Sequence, residues 1–400
     1  MAIRSICNAD VAGKRLLVRA DLNVPIQEGK VTDTTRIDRF AEGMKPLLAK
    51  GARLVILTHM GRPNGVMNPA LSVDKLRPVL SDALGAPVRF SDVSSGVSAE
   101  IHANALQNGE VLLCENLRFN RGEESNDPAL AQQFSQLGDI YVNDAFSCAH
   151  RAHASTEAIT HLMPAFAGPL MMEELGALKS ALEDPQRPSV AIVGGAKVSS
   201  KIAVLKNLVG QVDHLIVGGG MANTFLFADG AQVGKSLHEA DQIDTIRDIA
   251  RLAKAVGCTI HLPSDVVVAR EFKAGADAEL VPANTCPVDA MILDAGPGAV
   301  DAFSQVLVSS RTILWNGPLG AFEMPPFDVA TVALARKAAE LTRAGKCVSV
   351  AGGGDTVAAL NAAGVTGDFT YVSSAGGAFL EWLEGRALPG VAALMQDEKV

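Results

Sequence analysis

Short apolar runs recur along the whole chain, each bounded by polar or glycine residues and each too brief to fill a helix. In the first half they fall at 15–20, 53–58, 111–115 and 140–143. Between the first two, Ile37, Phe40, Ala41, Met44, Leu47 and Leu48 recur with the period of one helical face. Runs near 190–194, 214–218, 258–262, 312–316, 347–351 and 370–374 repeat the scheme in the second half. Buried strands alternating with amphipathic helices predict parallel βαβ units, so the expected fold class is α/β, with two doubly wound, Rossmann-like parallel-sheet domains. The repetition is architectural, because the halves share no sequence similarity that marks a duplication.

The stretch 163–189 changes character twice. Its centre, 171–182, reads as a helix, and proline-bearing segments bracket it. A helix between two lobes is a natural hinge and places the boundary near 170–185. The expected division is an N-terminal domain over 1–170, then a hinge helix and C-terminal domain over 171–384.

The residues at the strand ends separate the halves. The second half runs its strands into glycine turns: AIVGGAK (191–197), LIVGGGM (215–221), ILWNGPLG (313–320), VSVAGGGDT (348–356) and VSSAGGA (372–378). Glycine there lets backbone N–H groups approach a ligand where a helix begins, which suits a polyphosphate. The first half ends its strands in VRADLN, ILTHMGR, LCENLR and YVNDAF, whose side chains suit a compact anion.

Open α/β sheets bind ligands outside the carboxyl ends of their strands. The candidates in the first half are therefore Asp21 and Asn23, His59 and Arg62, Arg118 and Arg121, Asp144, and, just beyond it, His150, Arg151 and His153. Arg36 enters the first helix, where Asp33 or Thr34 can cap. Singly, each has a plainer role: a surface arginine pairs with an acid, Asp21 caps, and Asn23 starts a turn. His150 and His153 have metal-ligand character, but no third ligand is placed, and hydrogen-bonded loop histidines are the simpler reading. Their shared position at strand ends carries the argument.

In the second half neither the P-loop nor the G-x-G-x-x-G fingerprint is present, since Asn223 and Val357 stand where a last glycine would fall. Lys197 and Lys201 would share one face of a helix beginning just after Gly195, near its positive end. Asp355 would cap a helix or hold Mg²⁺ through one carboxylate, and Glu323 would accept from ribose hydroxyls or face water.

Composition narrows the partners. The length of 400 residues suits two domains, and 48% hydrophobic with 20% charged residues leaves no case for extended disorder. A net charge of −9 argues against nucleic-acid and membrane-surface binding, so any anion site must be local. Cys7, Cys114, Cys148, Cys258, Cys286 and Cys347 are spaced singly, without metal-like pairs. The N-terminal residues lack a signal-peptide core, and the stretch 158–172 is too short to span a bilayer. The expectation is a cytoplasmic protein acting as a monomer.

With these residues in place the chain resembles phosphoglycerate kinases along essentially its whole length. The matching stretches are LVRADLNVP, the Arg36 region, THMGRP, LCENLRFNRGEE, YVNDAFSCAHRAHAS, VGGAKVSSKI, VGGGMANTFL, LWNGPLGAFE, AGGGDT and AGGAFLEWLEG. The resemblance implies phosphoryl transfer between ATP and 3-phosphoglycerate, with 1,3-bisphosphoglycerate and ADP on the other side. It implies Mg²⁺ with the nucleotide, and a tail of about 385–400 packed back on the first lobe. Asp21, Asn23, Arg36, His59, Arg62, Arg118 and Arg151 would hold the phosphoglycerate. Lys201, Asn316, Glu323, Gly353, Gly354, Asp355 and Thr356 would hold the nucleotide, with Asp355 on the metal. Arg36, Lys197, Lys201 and the N–H groups near Gly376 and Gly377 would stabilise the migrating phosphoryl.

Three positions depart from the family pattern: Ala375 in the last glycine cluster, Phe379 where a small polar residue is common, and DAGPGAV (294–300), which lacks a hydroxyl residue. Altered packing with retained function is the expectation. Domain closure would complete the site. A non-catalytic anion-binding protein would usually carry an export signal, and a dinucleotide-dependent dehydrogenase would need the missing fingerprint.

Overall fold

In the computed structural model, which describes residues 3–395, the chain forms two compact units. One takes the chain up to Leu175 and resumes at Ala387; the other runs Gly176–Arg386. The first unit begins with β1 (Arg15–Arg19), a small hairpin of β2 (Ile26–Gln27) and β3 (Lys30–Val31), α1 (Thr35–Ala49) and β4 (Arg53–Leu57). It continues through α2 (Arg77–Leu84), β5 (Val88–Ser91), α3 (Gly96–Asn104), β6 (Val111–Cys114), α4 (Pro128–Ser135), β7 (Ile140–Asn143) and β8 (Ala165–Ala167). Helix α5 (Pro169–Leu178) then carries the chain onward.

The large sheet is wholly parallel in the order β5-β6-β4-β1-β7-β8. Helices cover parallel sheets on both faces, so the central strands are apolar without alternation: Leu54, Val55, Ile56 and Leu57 are all buried. Helix α1 turns Ile37, Phe40, Ala41, Met44 and Leu47 onto this sheet, each large side chain contributing about 1.5–3 kcal/mol by leaving water. Strands β5 and β8 escaped the sequence reading because they are short edge strands, one interrupted by an exposed arginine, Arg89.

The second unit holds β9 (Ser189–Val193), α6 (Ile202–Val209), β10 (His214–Val217), α7 (Gly219–Ala228), α8 (Ile243–Val256) and β11 (Thr259–His261). Next come β12 (Asp265–Ala269), β13 (Glu279–Pro282), β14 (Met291–Ala295), α9 (Pro297–Ser309), β15 (Thr312–Asn316) and α10 (Val329–Arg343). The unit closes with β16 (Val348–Gly352), α11 (Gly354–Ala363), β17 (Tyr371–Ser373) and α12 (Gly376–Leu383). Its main sheet is again parallel, in the order β11-β10-β9-β15-β16-β17. The sequence reading missed a second sheet, antiparallel in the order β13-β12-β14, with its own small core around Val266, Val268 and Cys286.

The chain returns to the first unit as α13 (Pro389–Ala392). There Gly390 N–H donates to the Ala149 carbonyl at 2.8 Å, and Asn143 Nδ2 donates to the Gly390 carbonyl at 3.4 Å. Residues 396–400 of the expected tail lie outside the described residues. Among the described residues no helix is long and apolar enough to cross a membrane.

Candidate active site

The carboxyl ends of the first-unit strands bring four of the first-half candidates, Asp21, Asn23, Arg36 and Arg118, into one bonded group. Arg36 Nη1 donates to Asp21 Oδ2 at 2.7 Å and to the Asn23 carbonyl at 3.2 Å. Asn23 Oδ1 accepts from Gly61 N–H at 3.3 Å, and Arg118 Nη1 donates to the Gly61 carbonyl at 2.7 Å. Ser147, which the sequence reading did not single out, donates to Asp21 Oδ2 at 2.5 Å. Asp33, not Thr34, supplies the acceptor at the start of α1, taking the Thr35 N–H at 2.9 Å and leaving Arg36 at the site edge.

Arg62 and Arg151 are exposed beside this group, Arg151 donating to His150 Nε2 at 3.1 Å. Arg121 is also exposed, against Gly65. Arg118 is mostly buried and meets Glu124 at 3.3 Å. These arginines outnumber the acids paired with them here, Asp21 and Glu124, which is the local charge balance that suits an anion on an acidic protein.

Asp144 does not join them. It is buried, and its Oδ1 accepts from the backbone of Leu170 at 2.7 Å and Met171 at 3.2 Å, capping α5. A strand-end aspartate facing a helix N-terminus finds unsatisfied donors there, which outcompete an external ligand. His153 is likewise buried, 3.7 Å from Glu123, and among the described residues no group of three or more metal-ligating side chains occurs.

Behind the arginines lies a buried polar layer that the sequence reading missed. Arg19, on β1, is fully buried and donates to Ser155 Oγ at 3.0 Å and toward His59 Nδ1 at 3.2 Å. Ser155 Oγ donates in turn to Glu123 at 2.5 Å. A buried charge left without its partners costs about 3–5 kcal/mol, so this layer is a rigid unit. Burial and the charges of Arg19 and Arg118 hold His59 down to about 2, so its ring is neutral. Burial pushes the Cys148 thiol up, against the pull of Arg19, which disfavours the thiolate. The signal for Arg19 in the sequence was an arginine inside an otherwise apolar strand.

In the second unit the turns after β9, β10 and β15 pack backbone against backbone. A Cβ on Gly194 would stand 1.8 Å from the Pro318 carbonyl oxygen, and one on Gly220 2.3 Å from that of Ala196. Glycine is required there by the neighbouring loop. The start of α7 is closed in the same way: Gly219 N–H bonds the Leu319 carbonyl at 2.7 Å and Met221 N–H that of Gly195 at 3.0 Å. By contrast, a Cβ on Gly354 or Gly376 would meet nothing within 4 Å, so α11 and α12 begin beside open space, where the first N–H groups of a helix have no intrahelical partner.

The lysines stand differently from the sequence expectation. Lys197 is in extended conformation (φ −132°, ψ 128°), residues 198–201 form a 3₁₀ turn, and α6 starts only at Ile202, so Lys197 and Lys201 share no helical face. Lys201 Nζ donates to the Gly194 carbonyl at 2.7 Å and to Asn316 through its Oδ1 at 2.6 Å and its carbonyl at 3.1 Å. Burial brings this ammonium down to about 8, opposed by Asp355. Asn316 Nδ2 donates to the Gly352 carbonyl at 2.8 Å, tying the lysine to β16.

Asp355 lies exposed on the first turn of α11 and caps nothing, because Gly353 occupies the capping position. Thr356 turns inward, its hydroxyl accepting from Gly317 N–H at 2.7 Å and donating to the Gly352 carbonyl at 2.8 Å. Phe379 is fully buried with its ring against Gly352, and Ala375 is also buried, so both departures lie in the packing beneath the helix start.

Beside these turns opens a cavity of about 680 Å³. Gly218–Gly220 form one wall, and Leu237, Pro263, Phe272, Met291, Leu293 and Ala321 give it an apolar interior, with Glu323 and Asp355 at polar positions. An apolar cavity with Asp355, on the open first turn of α11, in its lining suits a nucleotide, base inward and phosphates toward that helix start. Most of the apolar wall comes from residues around the antiparallel sheet, which the glycine pattern did not mark.

The model of the phosphoglycerate kinase family matches residues 6–386. The phosphoglycerate kinase of Ruegeria sp. (strain TM1040) is 59% identical over 394 residues, covering 98% of this chain and all of its own length. That of Zymomonas mobilis is 57% identical over 395 residues, again covering 98% of this chain. The solved phosphoglycerate kinase of Coxiella burnetii superposes with a TM-score of 0.92 at 41% identity, covering 99% of each chain. With a family match across both units and this identity over nearly every residue, the chain belongs to the phosphoglycerate kinase family.

Proposed function

We propose that this chain works as an ATP-dependent phosphotransferase whose acceptor is the carboxyl group of 3-phosphoglycerate, with 1,3-bisphosphoglycerate and ADP formed and the reverse direction serving glycolysis. Asp21, Asn23, Arg36, His59, Arg62, Arg118 and Arg151 bind the acid. Lys201, Asn316, Glu323 and the Gly353–Thr356 turn bind the nucleotide, Thr356 acting from inside by holding Gly317. The single observation that carries this reading is the split chemistry: side-chain guanidiniums on one unit, and open helix starts with a caged lysine beside an apolar slot on the other.

The acceptor carboxylate is ionised at neutral pH, so attack needs no general base. The protein's work is alignment and stabilisation of charge on the transferring group. Arg36 supplies that charge from the acid side, Lys197 and Lys201 from the nucleotide side, and the N–H groups of Gly376 and Gly377 complete the set. Turnover includes closure of the two units, which also keeps water from the acyl phosphate.

Asp355 fits Mg²⁺. Among the described residues its exposed carboxylate makes no hydrogen bond or ion pair, and it lies within electrostatic reach of Lys201. One carboxylate suits an ion that takes its other ligands from phosphates and water. When bound, the ion neutralises phosphate charge. The cytoplasm fits six free cysteines, and we take the enzyme to act as a monomer on small molecules, without nucleic acid or membrane.

A coupled assay tests the reading. ATP consumption should require 3-phosphoglycerate, stop with EDTA, and return with Mg²⁺; Asp355→Asn should need about tenfold more Mg²⁺, one lost carboxylate ligand being worth about 1.4 kcal/mol or more. ATP consumption that ignores 3-phosphoglycerate, or an Asp355→Asn enzyme with the parent's Mg²⁺ dependence, would contradict it.

A further inference from the structure

Phosphoryl transfer leaves the buried guanidinium of Arg19 without a role, yet its geometry dictates the state of a neighbouring ring. Arg19 ends β1 between β4 and β7, and Nη2 stands 3.2 Å from His59 Nδ1 and 3.4 Å from Cys148 Sγ. Nη1 donates to the Ala20 carbonyl, and Nε donates to Ser155 Oγ at 3.0 Å. The Ser155 hydroxyl donates a hydrogen bond to Glu123 Oε1 at 2.5 Å, and its N–H donates to Glu123 Oε2 at 3.1 Å, so the plane of the guanidinium is held from behind.

A guanidinium has donors only and does not lose its proton in a protein. His59 Nδ1 therefore accepts, and the single proton of the neutral ring sits on Nε2. Among the described residues Nε2 has no hydrogen-bond partner, and it is not among the buried polar atoms left unpartnered, so it reaches solvent at the carboxyl end of the sheet. A second proton is opposed by burial and by every charge facing the ring: Arg19, Arg118, His153 when protonated, and Arg36.

We propose that Arg19 is a positioning residue that locks His59 as the Nε2–H tautomer, presenting a neutral hydrogen-bond donor to an anionic oxygen of the bound three-carbon acid. The proposal rests on the reading that His59 lies in the acid's site. With the other tautomer, a lone pair would face the anion and the bond would become a repulsion. Charge comes from the arginines, and the histidine adds direction without its own titration entering the pH profile.

Long-range ¹H–¹⁵N NMR on histidine-labelled protein, with the ring assigned through His59→Gln, reads the tautomer directly. The expected result between about pH 6 and 8 is a proton on Nε2 alone, no titration, and a shift of that resonance on adding 3-phosphoglycerate. A proton on Nδ1, or a ring that titrates in this range, overturns the proposal. The expected tautomer with a resonance indifferent to 3-phosphoglycerate refutes the placement of His59 in the acid's site instead.

Because Arg19→Met alone strands Glu123, the functional arm uses Arg19→Met with Glu123→Gln. In that variant the ring should lose its fixed tautomer and titrate closer to neutrality, and KM for 3-phosphoglycerate should rise about tenfold, the worth of roughly one hydrogen bond, while kcat changes less. Arg19→Lys should restore part of the KM. A folded double variant with the parent's tautomer and KM sinks the assignment.

Discussion

The most exacting test falls on Asp144, which caps α5 with Oδ1 while its Oδ2 is buried without a partner. Burial pushes this carboxyl up to about 7, against the pull of the Met171 and Leu170 N–H groups and of Arg39, and Glu173 adds to the rise. In the unfolded chain the group ionises near pH 4. Between about pH 4 and 7 the folded state therefore holds a proton that the unfolded state has released, so stability falls as pH rises, by about 1.4 kcal/mol per unit. His59, held down to about 2, and His153, held down to about 4, act in the opposite sense below about pH 6.5, because each must gain a proton on unfolding. Glu123, also pushed up by burial, reinforces Asp144. The opposed groups flatten the parent profile of the first unit.

Asp144→Asn keeps an acceptor for α5 but removes one member of the balance. Its stability should rise with pH about 1.4 kcal/mol per unit more steeply than the parent, a divergence of ~3 kcal/mol between about pH 4.5 and 6.5. Urea unfolding followed by far-ultraviolet circular dichroism at constant ionic strength measures this. Trp315 and Trp382, the chain's two tryptophans, both lie in the Gly176–Arg386 unit, so their fluorescence separates that transition from the one of interest. Parallel profiles for variant and parent would mean that Asp144 is already ionised below pH 5, and the desolvation argument would fail.

Two further outcomes bear on the chemistry. Arg36→Ala should lower kcat by about 100-fold or more while changing the nucleotide KM little, since the guanidinium acts mainly on the transition state; steady-state kinetics with an unaltered kcat would remove it from the reaction. Lys201→Ala should weaken nucleotide binding and turnover together. Because burial brings the Lys201 ammonium down to about 8, calorimetric nucleotide affinity of the parent should decline as pH climbs through that value, and the variant should show no such decline.

Much of the fold was legible from pattern. Strands buried on both faces must be continuously apolar, so 53–57 and 140–143 announced themselves, and the apolar face of α1 did the same. Short edge strands and the antiparallel β12–β14 sheet did not, because partial exposure dilutes their apolar signal. In the site, arginines at strand ends were readable because topology sends every parallel strand end to one rim. Asp144 was misread for the same reason: its position is that of a site residue, and only the arrival of α5 turns it into a cap. The lysine pair failed on one local detail, a 3₁₀ turn where a helix was expected.

The sequence by itself determined the alternation of elements, the contrast between polar side chains at the strand ends of one half and glycine turns at those of the other, and the family. It did so because periodicity and strand-end residue type are local properties of the chain. Tertiary structure alone decided which glycines border open space and which face another loop, that Lys201 is caged by three carbonyl-type oxygens, and that a buried Arg19 stands behind His59. Those outcomes depend on contacts between residues far apart in sequence, where desolvation and donor geometry, set by the packed surroundings, override what a residue type can do on its own.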